Sequence, residues 1–184
     1  MRLLPAADRM PAPWKNGGGT TWEIAAQPPG AGLDAFDWRL SIAQVATDGP
    51  FSVFPGVDRV LTVIAGAGLR LTIEGLGEGQ GEVVLDEASK PLPFPGDAAA
   101  SATLDGGPIR DLNLMVRRGA WRGSVRRIDG AATITAEARV SVLVALAPAR
   151  AGDQVMAAED ALILDPHATL TVDGRLLLIG IDPA

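Results

Sequence analysis

The sequence has no cysteine and one histidine, His167, among 184 residues. Without cysteine there is no disulfide, thiolate nucleophile, zinc finger or iron–sulfur cluster. A single imidazole rules out a multi-histidine metal site, and zinc and non-haem iron both prefer two or three. Any Ser-His-Asp site would run through His167. That residue lies in Asp165-Pro166-His167-Ala168, a turn entering a strand, with no activated nucleophile near it in sequence. Excess positive charge is lacking as well: 16 basic residues stand against 22 acidic ones, a net charge of −6. That balance argues against a general nucleic-acid binder, because non-specific affinity for phosphate backbones comes from excess positive charge. No segment approaches the roughly 18 apolar residues of a membrane helix. The N-terminal MRLLPAADRMPAPW places proline and aspartate where a signal peptide needs a continuous apolar stretch. The expectation is a cytoplasmic protein with neither a membrane nor a nucleic-acid partner.

Helical periodicity is also scarce. Short alternating runs recur instead, as in Trp38 to Gln44, Leu69 to Glu74, Thr133 to Ala136, Val140 to Ala147, Ala168 to Val172 and Arg175 to Ile181. Turn signals separate them, among them Asp48-Gly49-Pro50, Phe54-Pro55-Gly56, Asp129-Gly130 and Asp173-Gly174. A dozen or so short strands at this spacing predict an all-β sandwich or barrel with few or no helices. The units beginning at Arg59 and Arg139 are faintly alike, so the chain reads as two similar jelly-roll halves.

Several segments are able to carry chemistry. In Trp14-Lys15-Asn16-Gly17-Gly18-Gly19-Thr20-Thr21 the glycine run would let a ligand approach the backbone, with Lys15 and Asn16 adding anion contacts. It lacks the Gly-Lys-Ser/Thr ending of a P-loop, and it also reads as an irregular loop feeding the strand Thr20 to Gln27. Arg59 shares an alternating face with Leu61 and Val63. If that face is interior, the guanidinium needs a partner. A bound carboxylate suits its planar fork, and Asp58, Asp111 or Glu23 is the internal alternative. Alternation groups Asp111, Asn113, Met115 and Arg117 on one face of their strand, either a wet surface or a cavity wall, the former being commoner. Arg117, Arg118, Arg122, Arg126 and Arg127 surround Trp121. The acidic chain favours a solvated edge there over a nucleic-acid patch.

The stretches Trp14 to Ala25, Trp38-Arg39-Leu40-Ser41, Asp48 to Ser52, Phe54 to Arg59 and Asp111 to Arg118 resemble the HutD/Ves family, in order and with natural spacing from about Pro13 to Arg118. The resemblance implies a cupin-like double β-barrel, a bicupin, spanning 1–184. Its N-terminal barrel would occupy approximately 1–118 and its C-terminal barrel 119–184, with strand exchange between them allowed for. It further implies a bacterial protein that moderates histidine catabolism by binding an anionic intermediate such as urocanate or formylglutamate. Most enzymatic cupins hold a metal with several histidines and a glutamate, which this sequence cannot supply. The reading is therefore a metal-free barrel with no cofactor and no catalytic residue, binding a small carboxylate metabolite. Arg59 is the first choice of anchor, with Lys15, Asn16, Asp111, Asn113 and Arg39 completing the pocket; a homodimer is allowed for. Two alternatives stand beside it. One is a metal-independent isomerase, lyase or hydrolase using Asp111, Lys15 or Glu23 as acid or base. The other is an interaction module acting through the edge from Arg117 to Arg127.

Overall fold

Alternation of large apolar and polar side chains governs almost every segment of the structure. A computed structural model describes residues 1–15, 17–76 and 81–184. The strands are β1 (Arg2–Leu4), β2 (Pro11–Pro13), β3 (Gly19–Gln27), β4 (Trp38–Val45), β5 (Gly49–Pro50) and β6 (Val57–Ala65). They continue with β7 (Leu69–Ile73), β8 (Gly81–Leu85), β9 (Leu92–Pro95), β10 (Ala100–Leu104), β11 (Ile109–Arg117), β12 (Trp121–Asp129) and β13 (Ala132–Thr135). The last are β14 (Val140–Ala145), β15 (Ala149–Ala151), β16 (Gln154–Met156), β17 (Ala161–Ile163), β18 (Thr169–Asp173) and β19 (Arg175–Pro183). Among the described residues the helical content is one 3-10 turn, Ala6–Asp8. The all-β expectation therefore holds, and among the described residues no helix is long and apolar enough to cross a membrane.

The chain divides into two units, Met10–Arg118 and Met1–Arg9 with Gly119–Ala184. In the first, a six-stranded antiparallel sheet runs β2-β3-β4-β11-β6-β9 and a four-stranded one β5-β10-β7-β8. Both sheets contribute to one core: Val45, Leu61 and Val63 from the larger, and Leu69, Leu71, Ile73, Ala100 and Ala102 from the smaller. Each fully buried Leu or Ile of this kind stabilises by about 1.5–3 kcal/mol. The β6–β7 turn needs glycine: Gly66 has φ +104°, and a Cβ there would lie 2.8 Å from the Pro108 carbonyl oxygen.

The second unit repeats the plan, with a five-stranded sheet β1-β17-β14-β19-β12 and a four-stranded sheet β13-β18-β15-β16. Its core includes Leu143, Leu162, Leu170, Val172 and Leu176. The N-terminal strand joins it by antiparallel pairing, Leu3 opposite Leu162. Asp160 fixes this attachment, its Oδ1 accepting from the Ala6 N–H at 2.8 Å and its Oδ2 from the Ala157 N–H at 2.8 Å.

The arginines around Trp121 are divided between the units. Arg117 and Arg118 end the first, where Arg118 pairs with Asp58 at 2.7 Å and Asp97 at 2.6 Å. Arg122 and Arg126 lie exposed on β12, an edge strand, as the solvated-edge reading expected.

Candidate functional site

β11 lies between β4 and β6, so each of its inward side chains meets one neighbour on either side. The register sets three cross-strand rows. Met115 faces Arg39 and Arg59, Asn113 faces Ser41 and Leu61, and Asp111 faces Ala43 and Val63. β3 extends the second row with Glu23 opposite Ser41, beside a bulge between Glu23 and Ala25. β9 extends the first with Phe94 opposite Arg59. Because side chains alternate with period two, these residues share one face of the sheet. That face borders a cavity of about 560 Å³ within the first unit.

Arg59 is 6 % exposed. Its Nη2 donates to Asn113 Oδ1 at 2.8 Å and its Nη1 to the Ser52 carbonyl at 3.3 Å, while Nε is buried without a partner. Three rings surround the guanidinium, Phe94 at 5.0 Å, Phe54 at 5.5 Å and Phe51 at 5.6 Å from their centroids. Ring quadrupoles attract the cation but do not neutralise it. Burial holds the Arg59 pKa down at about 10, with Asp111 opposing the shift; the group stays a cation at neutral pH.

The internal carboxylates expected to pair with Arg59 are engaged elsewhere. Asp58 binds Arg118, and Glu23 binds Arg39 at 2.8 Å. Asp111 reaches Arg59 only through Asn113, whose Nδ2 donates to Asp111 Oδ1 at 2.6 Å. Asp111 Oδ2 is buried with no partner. Loss of hydration among Ala43, Val63 and the core pushes the Asp111 carboxyl up to about 7, against the pull of Arg59, the Asn113 hydrogen bond and Arg110.

The loop before β6 supplies Phe51, Ser52 and Phe54. It is held in place by Phe51 N–H to the Ala100 carbonyl and Phe54 N–H to the Gly96 carbonyl, each at 2.8 Å. At another edge of the cavity Trp14 turns back on the glycine run. Its N–H donates to the Gly19 carbonyl at 2.9 Å, and its Nε1 to Thr21 Oγ1 at 2.8 Å. A Cβ on Gly19 would collide with the Gln44 carbonyl oxygen and the Trp14 ring. The run is thus a hairpin loop joining β2 to β3, and the Gly17 N–H is taken by the Trp14 carbonyl at 3.0 Å.

Of the residues singled out from sequence, Arg59, Lys15, Asp111, Asn113 and Arg39 all line this cavity, Lys15 in an exposed position. Asn16 lies outside the described residues. The β11 polar stripe, whose commoner reading is a wet surface, lines the cavity as far as Met115. Arg117 leaves it and donates from Nη2 to the Phe36 carbonyl at 3.0 Å. Sequence reasoning missed the ring cage, although Phe51 and Phe54 lie within the motif leading to Arg59. His167 is in the other unit, and among the described residues no three His, Cys, Asp or Glu side chains gather where a metal could sit. Among the described residues Asp111 is the one carboxylate in the cavity lining, tied to Asn113 through Oδ1, and Glu23 nearby is held by Arg39. This donor set does not fit the metal that enzymatic cupins hold.

The likeness to known proteins covers the whole chain. A Pseudomonas putida protein described as an uncharacterised 21.2 kDa protein in the hutC 3′ region is 35 % identical over 188 residues, 99 % of this chain and 92 % of its own. Protein Ves of Citrobacter koseri is 37 % identical over 147 residues, covering 79 % of this chain and 73 % of that one. The solved structure of HutD from Pseudomonas fluorescens superposes with a TM-score of 0.85 at 35 % identity, over 100 % of this chain and 98 % of that one. A mutant of Bacillus subtilis oxalate decarboxylase OxdC gives 0.63 at 8 % identity, over 100 % and 78 % respectively, a likeness of fold alone. The HutD family model matches residues 6–178. The chain belongs to the HutD family, on a cupin-like all-β fold.

Proposed function

We propose that this protein is a non-catalytic small-molecule-binding member of the histidine-utilisation system, and that its two units are the two barrels of a bicupin. Family membership and a relative from a hutC region support the link to histidine utilisation. The ligand is a small carboxylate of that pathway, urocanate or formylglutamate, held without a metal in the cavity of the first unit.

One observation carries this reading. Arg59 is a buried cation bordering a cavity of about 560 Å³, and among the described residues no carboxylate contacts it directly. A buried charge whose counter-charge, Asp111, stands behind an amide is only partly compensated, and a ligand carboxylate would pair with it directly through charge-assisted hydrogen bonds. Phe51, Phe54 and Trp14 offer apolar surface for the stem of such a ligand, and Lys15, Arg39 and Ser41 offer polar contacts.

A second reading has its own observation. Asp111, titrating near neutrality on the wall of the cavity, has the character of a general acid or base for a metal-independent isomerase, lyase or hydrolase acting on a small carboxylate. Titration with urocanate, formylglutamate, formiminoglutamate and histidine separates the two. The binding reading expects saturable one-to-one binding of a carboxylate, unaffected by chelator, lost in Arg59→Ala and without consumption of ligand. Turnover would overturn it in favour of the enzyme.

A further inference from the structure

The buried hydrogen-bond chain behind Arg59 bears on how an anion is accepted. Asp111 Oδ1 takes the Asn113 amide hydrogen at 2.6 Å, and Asn113 Oδ1 takes the Arg59 Nη2 hydrogen at 2.8 Å. Arg59 and Asp111 are therefore each other's counter-charge, but at second hand, with one amide between them. Asp111 Oδ2 is buried without a partner, and the residue is 1 % exposed. Its cross-strand neighbours are the apolar Ala43 and Val63.

We propose that a carboxylate ligand enters this cavity together with one proton, which Asp111 takes up on Oδ2 as the ligand's charge replaces its own beside Arg59. This rests on the reading of the cavity as a carboxylate site. A second anion on one guanidinium in an apolar cavity repels the first, and like charges at close range favour protonation of one of them. Asp111 is the group that yields: it already titrates near neutrality, whereas simple ligand carboxyls ionise near pH 4. Once neutral, its Oδ2–H becomes a hydrogen-bond donor beside the bound anion. The balance is simple. One ligand carboxylate takes the place beside Arg59 and one solvent proton enters, Asp111 becomes a carboxylic acid, and the net charge beside Arg59 is unchanged.

The surrounding charges leave this exchange to Asp111. β6 presents Arg59, and β4 presents Arg39, held by Glu23 of β3. Lys15 lies in the loop before β3, and β9 presents the uncharged Phe94. On β11 itself Arg110 is stacked over Trp22 at 4.6 Å and favours the ionised form of Asp111. The core residues of β7 and β10 facing the larger sheet are aliphatic.

Calorimetric titration of the full chain with N-formylglutamate, from pH 6 to 9 in buffers of different ionisation enthalpy, tests this directly. The probe's carboxyls are fully ionised throughout that range, so any linked proton belongs to the protein. The expected result is proton uptake approaching one per site at pH 8, with the association constant falling about tenfold between pH 6 and 8. Asp111→Asn, which mimics the neutral acid, should bind with no such pH dependence. Binding that is flat with pH and without proton uptake in the wild type overturns the inference and leaves the carboxylate site standing, as does pH dependence retained in Asp111→Asn. Absence of binding at every pH overturns the carboxylate site itself, and the proton linkage with it.

Discussion

Replacing Arg59 by methionine should make the protein more stable at mildly acidic pH while removing its ligand. The folded pKa of Arg59 lies at about 10, well below the ordinary arginine range, because burial penalises the cation. Because the folded value is the lower one, the charge costs stability at every pH below about 10. That depression corresponds to about 3 kcal/mol. Against this stand the hydrogen bond to Asn113 Oδ1, worth about 1 kcal/mol when its acceptor is left unmet, and the cation–π contacts, which methionine partly replaces by sulfur–ring contacts with the same three rings. The net expectation is a gain of about 1–2 kcal/mol at pH 5, where Asp111 is already protonated and loses no counter-charge; above pH 7 the gain shrinks, because Asp111 would be left as a buried charge without its partner. Urea unfolding followed by the fluorescence of Trp14, Trp22 and Trp38, all in the unit that holds Arg59, reads the change as a shift in midpoint at constant slope. A loss of more than about 1 kcal/mol would refute the reasoning. It would show that Arg59 is a satisfied structural charge rather than one awaiting a counter-ion.

Other outcomes follow from the same geometry. Asp111 has a folded pKa of about 7 against 3.8, so its contribution to stability is fully present below pH 4, is lost as pH rises to about 7, and stays lost above. The stability difference between wild type and Asp111→Asn should therefore grow by about 4 kcal/mol across that window, measured by denaturant unfolding at several pH values. Gly19→Ala should cost about 1–3 kcal/mol, because the new Cβ meets the Gln44 carbonyl and the Trp14 ring; thermal unfolding checks it. Leu143→Ala, in the core of the second unit, should cost about 2–5 kcal/mol. Ligand affinity, measured well below the unfolding temperature, should be unchanged in that variant.

What could be read without coordinates was set by the reach of period-two patterns. Alternation in Trp38 to Gln44 and Ile109 to Arg117 was enough to mark strands and to group Asp111 with Asn113 and Met115. It could not say that their shared face borders a cavity, since a polar stripe opposite the buried Leu112 and Leu114 reads equally as a wet outer surface. The pairing of Asn113 with Arg59 spans 54 residues and depends on β11 lying between β4 and β6, a topology that no local pattern encodes. The ring cage is assembled in the same way from a loop and from β9. The glycine run was legible as a place of close approach. That the approaching group is Trp14 from the chain itself follows from the hairpin geometry. The attachment of Arg2–Leu4 to a strand more than 150 residues away left no mark on the local sequence.

On the proposed function Arg59 anchors a carboxylate in this cavity. Parallel titrations of the wild type and Arg59→Met with urocanate and formylglutamate, with ligand concentration followed over time, address it most directly. Expected are one saturable site in the wild type, no binding in an Arg59→Met variant shown to be folded, and no loss of ligand with time. Undiminished binding in Arg59→Met, or steady consumption of the ligand by the wild type, would contradict it.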